Sequence, residues 1–122
     1  MIVAGFGFRT AATMASLQDA LLQAAGGLQP DMLATLARKA DAPCLIALAQ
    51  SLSMPIRPVS EADIKAVSTL TQSPRIQRSF STGSVAEAAA LVAAGPGARL
   101  LRARCLSADR MASVALAIGE GS

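Results

Sequence analysis

The stretch "DMLATLARKA", Asp31 to Ala40, decides the fold because it can be read in two ways. Leu, Met, Ala, Arg and Lys all favour a helix, so propensity alone makes the segment one. A short buried strand fits equally well, since a βαβ unit needs a strand between two helical patterns. Local sequence leaves both readings open, and the flanks supply the context. Upstream, "MIVAGFGF" (Met1 to Phe8) is a short apolar run of the kind that forms a buried strand. From Thr13 to Ala25, Met14, Leu17, Leu21 and Leu22 recur at helical spacing, and Gly26-Gly27 end the helix. Downstream, Asp41 reads as an N-cap with Pro43 in the first turn, and Leu45, Ile46, Leu48, Ala49 and Leu52 form an apolar face. "MPIRPVS" (Met54 to Ser60) is extended, because each proline drives its predecessor out of the helical region.

The second half continues the alternation. Ser60 and Asp63 read as a capping pair for a short helix through Leu70. "TQSPRIQRSFSTG", Thr71 to Gly83, has no apolar periodicity and reads as a loop of a length usually kept for function or disorder. In "SVAEAAALVAAG", Ser84 and Glu87 fit a capping box and Gly95 ends the helix. "ARLLRARCLSADRMASVALAIG" reads as two strands joined by a turn near Ser107 to Arg110, with Val114, Leu116 and Ile118 alternating. The expected fold is a single α/β domain over residues 1–122, a three-layer α/β/α sandwich with a mixed sheet.

Composition narrows the chemistry. The chain is 52% hydrophobic but 2% aromatic and holds 27 alanines, so its core must be built from small and aliphatic side chains. No apolar stretch reaches the roughly 18 residues of a membrane helix, and the first positive charge, Arg9, follows the apolar run instead of preceding it, so a soluble, cytoplasmic protein with no membrane partner is expected. Cys44 and Cys105 form no CxxC pair and suit reduced thiols. The absence of His removes Ser-His-Asp and Cys-His catalysis and the usual His-based zinc and haem ligation; no metal and no cofactor are expected. Only Phe6, Phe8 and Phe80 could stack on bases, which argues against nucleic acid despite the net charge of +3. Positive charge concentrates between Ile64 and Ala108, where six basic residues face one acid, so an anionic partner would be drawn there. "VAGFGFRTAAT" (Val3 to Thr13) tests a dinucleotide fingerprint: Gly5 and Gly7 fit, but Thr10 stands where the third glycine belongs and no acid ends a second strand at the right distance.

With this pattern laid out, the chain resembles the family of cobalamin-biosynthesis proteins that comprises CobE and the C-terminal domain of CbiG, the cobalt-precorrin-5A hydrolase. The resemblance is carried by "IVAGFGFR", "LATLARKA", "LIALAQSLSMPIRPVS" and "TGSVAEAAALVAAG", followed by "RLLRARC" and "SVALAIG", in the family's order over nearly the whole chain. It implies that Met32 to Ala37 is a strand leading to a basic residue, Lys39. It also implies the free-standing form of the family, associated with the aerobic route, because the longer N-terminal portion of the hydrolase does not precede the first strand. Departures from the family pattern stand at Phe8 and Thr10, where a cysteine and a second basic residue are common, and at Ala42, where an acid is common.

Ligands of parallel α/β sheets sit beyond the carboxyl ends of the strands, where helix N-termini face anions. Gly5 and Gly7 would let the backbone turn close to a ligand there, with Arg9 and Thr10 as donors at a helix start. The same edge would collect Thr35 and Lys39, Ser60, then Ser73, Arg75 and Arg78 from the long loop, with Gly83 and Ser84 closing it. The resemblance makes the ligand a precorrin or other corrinoid intermediate, an apolar macrocycle rimmed with carboxylates. A binding or carrier role is the favoured reading. An enzyme acting on a precorrin, with Glu87 as its one nearby candidate base, and an adaptor docking other pathway enzymes are the alternatives.

Overall fold

The computed structural model describes residues 1–64, 82–95 and 97–119, with side chains from position 85 onward in the last helix. Its elements are β1 (Ile2–Phe8), α1 (Met14–Ala25), β2 (Met32–Leu36), α2 (Pro43–Leu52), β3 (Ile56–Val59), α3 (Thr82–Ala94), β4 (Arg99–Leu106) and β5 (Ala112–Ile118). The five strands form one sheet in the order β3-β2-β1-β5-β4. β1, β2 and β3 are parallel, β5 runs antiparallel to β1, and β4 antiparallel to β5. The chain is a three-layer α/β domain with a mixed sheet.

Met32–Leu36 is a strand, and its position explains why propensity misleads there. It lies between β1 and β3, with Val3 opposite Met32 and Leu33 opposite Ile56, and burial on a central strand overrides the helical preference of Met, Leu and Ala. Ala37 leaves the strand and opens a 3-10 turn, Ala37–Lys39. Pro58 sits on β3, an edge strand, where its missing N–H costs no ladder bond.

The side chains of β1 alternate between two cores. Ala4, Phe6 and Phe8 face α1 and α2 together with Leu17, Leu21, Leu33, Leu45, Leu48, Val114 and Leu116. Val3 faces α3, whose Ala88, Ala89, Ala90, Ala93 and Ala94 pack on Ala34 and Ala117. A Cβ placed on Gly5 would lie 2.1 Å from the Ala86 carbonyl oxygen and 2.6 Å from the Ala90 nitrogen, so helix and strand touch backbone to backbone at that point. Gly5 and Gly7 are therefore interior strand residues and not the turn that sequence suggested; Gly5 is what admits α3.

Several boundaries differ from expectation. The N-cap of α2 is Ala42, with no side-chain bond, so Asp41 is not its cap, although Pro43 does occupy the first turn. Ile46 is exposed on α2 and Leu22 is exposed on α1. α1 ends as expected at Gly26 in the left-handed conformation (φ 54°). α3 begins at Thr82, which places Ser84 inside its first turn, and the Glu87 carboxylate accepts from the Arg104 N–H on β4 (3.2 Å) instead of closing a capping box. Ser60 does cap, its hydroxyl accepting from the Asp63 N–H at 3.1 Å, and residues 61–64 are helical. The remainder of that expected helix and most of the loop Thr71 to Gly83 lie outside the described residues.

Candidate functional site at the carboxyl end of the parallel strands

β1, β2 and β3 all end on one edge of the sheet. α3 reaches the same edge: Ala86 and Ala90 lie over Gly5 in mid-strand, while Ala94 lies against Gly119, beside Met1, at the opposite end. The first turn of α3 thus points toward Phe8. α1 also starts there, so two helices begin on opposite faces of the sheet around the end of β1, an arrangement that favours anions.

After Phe8 the chain makes its last ladder bond, from the Arg9 N–H to the Met111 carbonyl (2.9 Å), and then turns, with the Ala12 N–H donating to the Arg9 carbonyl (3.0 Å). Arg9, Thr10 and Ala11 are exposed on that turn while Ala12 anchors it in the core. The helix starts only later, at Met14, after its N-cap Thr13. The Thr13 hydroxyl accepts from the Ser16 N–H (3.2 Å) and the Ser16 hydroxyl accepts from the Thr13 N–H (3.3 Å), a reciprocal cap. Thr10 consequently belongs to the turn before the helix, not to the helix start.

Lys39 reaches back across the sheet edge from the end of its 3-10 turn. Its ammonium donates to the Phe8 carbonyl and stands 5.0 Å from the centroid of the Phe8 ring, a cation held by a carbonyl and an aromatic face together. Phe8 thus fixes Lys39 through both its carbonyl and its ring. Thr35 is 1% exposed and its hydroxyl donates to the Phe6 carbonyl (3.0 Å), which makes it a buried tie between β2 and β1 beneath this edge. Arg38 and Glu61 form an exposed ion pair at 3.6 Å, and Ser60 lies one residue before Glu61. Ser73, Arg75 and Arg78 lie outside the described residues, while Gly83 and Ser84 fall in the first turn of α3.

Sequence reasoning expected the turn near Ser107 to Arg110 between β4 and β5 but did not bring it to this edge, where it lies because Ala112 pairs with Phe8. Asp109 organises it. Its carboxylate accepts from the Ser107 hydroxyl (2.5 Å), the Ser16 hydroxyl (2.6 Å) and the Met111 N–H (3.0 Å). The Ser107 bond, then those of Ser16 and Met111, hold its carboxyl below the usual aspartate range. Asp19 on α1 accepts from the Ala108 N–H (2.6 Å), so helix and hairpin are joined twice. The available signal was "SADR": a Ser-x-Asp pattern favours side-chain-to-backbone turns. Among the described residues, no group of His, Cys, Asp or Glu could hold a metal ion. No helix of the described residues is long and apolar enough to cross a membrane.

Comparison with known proteins fits this architecture. Residues 2–119 match the family model described as cobalamin synthesis G C-terminus. The fold superposes on the crystal structure of cobalamin biosynthesis protein chiG from Agrobacterium tumefaciens with a TM-score of 0.78, at 35% identity, over 98% of this chain and 99% of that one. The crystal structure of CobE, described as a protein from the cobalamin (vitamin B12) biosynthetic pathway, matches with a TM-score of 0.77 at 32% identity, over 100% of this chain and 92% of that one. A cobalamin biosynthesis protein G homologue from Sulfolobus solfataricus shares the fold at 21% identity (TM-score 0.72), over 99% of this chain and 37% of that one. No curated protein sequence matches significantly. With the family model covering nearly the whole chain and two relatives above 30% identity matched end to end, the chain belongs to the CobE/CbiG C-terminal family of cobalamin-biosynthesis proteins.

Proposed function

We propose that this protein binds a precorrin or later corrinoid intermediate of aerobic cobalamin biosynthesis at the carboxyl end of β1–β3, and serves as its carrier or accessory in the cytoplasm. The observation that carries the reading is the grouping around the end of β1: Lys39 fixed on the Phe8 carbonyl and ring, with the exposed Arg9 and Thr10 beside it and the first turn of α3 directed to the same edge. A corrin ring rimmed with carboxylates offers anions for the two cations, while Phe8, buried beneath them, holds Lys39 in place. Ser60 stands at the same edge.

Binding is favoured over turnover because Glu87, the candidate base, is engaged with the backbone of β4. The test is an absorbance titration with hydrogenobyrinic acid, alongside chromatography for products. A saturable spectral shift without product supports a carrier, and affinity should fall about tenfold in Arg9→Ala as one charge-assisted contact is lost. Conversion of the added corrinoid to a new product would instead make the protein an enzyme, and absence of any shift would remove the ligand class.

A further inference from the structure

We propose that Arg110, presented by the β4–β5 turn, is a further anion-binding side chain of this edge and acts as a pair with Arg9 to grip neighbouring carboxylates of the ligand; the identity of that ligand rests on the reading above. Arg110 has a φ of 60°, the left-handed region that Gly or Asn occupies at least cost. An arginine kept at such a position calls for a reason beyond the turn itself. The turn is also tightly determined: the Arg110 N–H donates to the Ser107 carbonyl (2.9 Å), the Ser107 N–H to the Ala112 carbonyl (2.9 Å), and Asp109 and Asp19 tie its residues to α1. Arg110 is therefore presented from a fixed backbone.

Its neighbour across the sheet end is Arg9, because the Arg9 N–H bonds to the carbonyl of Met111, the residue after Arg110. Both side chains belong to exposed residues, and among the described residues neither guanidinium has a hydrogen-bond or ion-pair partner. The carboxylates bonded to this turn already have donors of their own. Asp109 is taken by two hydroxyls and the Met111 N–H, and Asp19 by the Ala108 N–H and the Gln23 amide. Two guanidinium groups thus leave neighbouring strand ends with their N–H donors unpaired, while the oxygens of Asp109 and Asp19 are taken by other donors. A guanidinium fork suits a planar carboxylate best, so the donors are available to a carboxylate supplied by a ligand. The ligand chemistry this selects is a molecule with two or more carboxylates close together, such as the acid side chains along one side of a corrin ring.

The experiment uses the full chain, two probes, and the variants Arg110→Gly, Arg110→Lys and Arg9→Ala/Arg110→Gly. Hydrogenobyrinic acid is followed by absorbance; citrate, a small polycarboxylate, is followed by the rise in Tm it causes. Arg110→Gly relieves the left-handed backbone, so it should be at least as thermostable as the parent while binding both probes about tenfold more weakly and with a shallower salt dependence. Arg110→Lys should fall between the two, and the double variant should lose less than the product of the single losses, as expected for a shared anion. Parent-like binding of both probes by Arg110→Gly, with unchanged salt dependence, would overturn the proposal, as would failure of both probes to bind the parent. If citrate binds through Arg110 and hydrogenobyrinic acid does not bind at all, the arginine pair stands as a carboxylate site and the corrinoid reading fails.

Discussion

The two faces of the sheet are held by different physics. On the face shared by α1 and α2, Phe6, Leu17, Leu33, Leu45, Leu48 and Leu116 are fully buried, and the helices stand off the sheet at the distance that large side chains set. On the other, a run of buried alanines on α3 lies over Gly5, close enough for its backbone to touch that of β1, with Val3, Leu36 and Val59 filling in around them. Volume stabilises the first face and close approach the second. A core of large side chains loses energy when atoms are removed; one made of backbone contact loses it when atoms are added. The lateral ties differ too. α1 packs toward β5 and β4 and is fastened to their hairpin by Ser16 with Asp109 and by Asp19 with the Ala108 N–H, whereas α3 is seated on β1 and β2 by steric contact and reaches β4 through Glu87, which accepts from the Arg104 N–H.

The largest expected effect breaks the close-approach face. Gly5→Ala sets a methyl 2.1 Å from the Ala86 carbonyl oxygen, a backbone atom that no rotamer change can move. The cost should exceed about 3 kcal/mol, at or beyond the upper end of overpacking. Chemical denaturation of the variant measures it. Adding Ala90→Gly should not restore stability, because it removes the Ala90 methyl and leaves the oxygen in place. Recovery in that double variant would show that α3 can lift from the strand and that the two faces are more alike than described.

Next comes a deletion on the opposite face. Leu48 is fully buried on α2, and Leu48→Ala should cost about 2 to 5 kcal/mol through lost burial and the cavity left behind. Leu48→Met, which keeps the volume, should cost less than about 1.5 kcal/mol. A thermal melt of each variant checks the order, and equal losses would mean that shape rather than volume governs this face.

The contrast between the faces also explains what was legible in the sequence. Apolar periodicity marked α1, the strand β1 and the β4–β5 hairpin, because large side chains and turn residues announce themselves. Met32–Leu36 could not be assigned from its own residues: its strand state comes from neighbours on both sides, and only the likeness of the ordered segments to a family favoured it. In β5 both sides are buried, so the visible alternation separates large from small, with Val114 and Leu116 toward α1 and Ala117 toward α3, instead of inside from outside. Gly5 looked like loop chemistry because glycine's two uses, turning and yielding space, are identical in one-letter code. Arg9, Thr10 and Lys39 were expected at the carboxyl edge by the strand-end rule, with Lys39 depending on the family's strand assignment for β2. Arg110 and Asp109 were not, because the hairpin joins that edge only through the antiparallel pairing of β5 with β1.

The smallest expected effect concerns the polar tie of α1 and is read as a pH dependence. Hydrogen bonds from Ser107, Ser16 and the Met111 N–H hold the Asp109 carboxyl below the unfolded aspartate value, which is about 3.9. A depressed carboxylate in the folded state contributes stability that is fully present above the unfolded value and disappears as pH falls through the folded one. The parent protein should therefore exceed Asp109→Asn in stability near neutral pH, and the gap should close only below about pH 4. Asp19 must be separated from this, since it lies on the same helix and caps the same turn through the Ala108 N–H. Asp19→Asn serves as the control, and denaturation of both variants across acid pH assigns the dependence. A gap for Asp109→Asn that stays constant through the acid range would mean that the hairpin is held to α1 by shape, as α3 is held to β1, and would erase the distinction between the two faces in their lateral ties. A gap that closes on acidification, with Ser16→Ala showing the same closure, would place the tie on the charged hydrogen bond between Ser16 and Asp109.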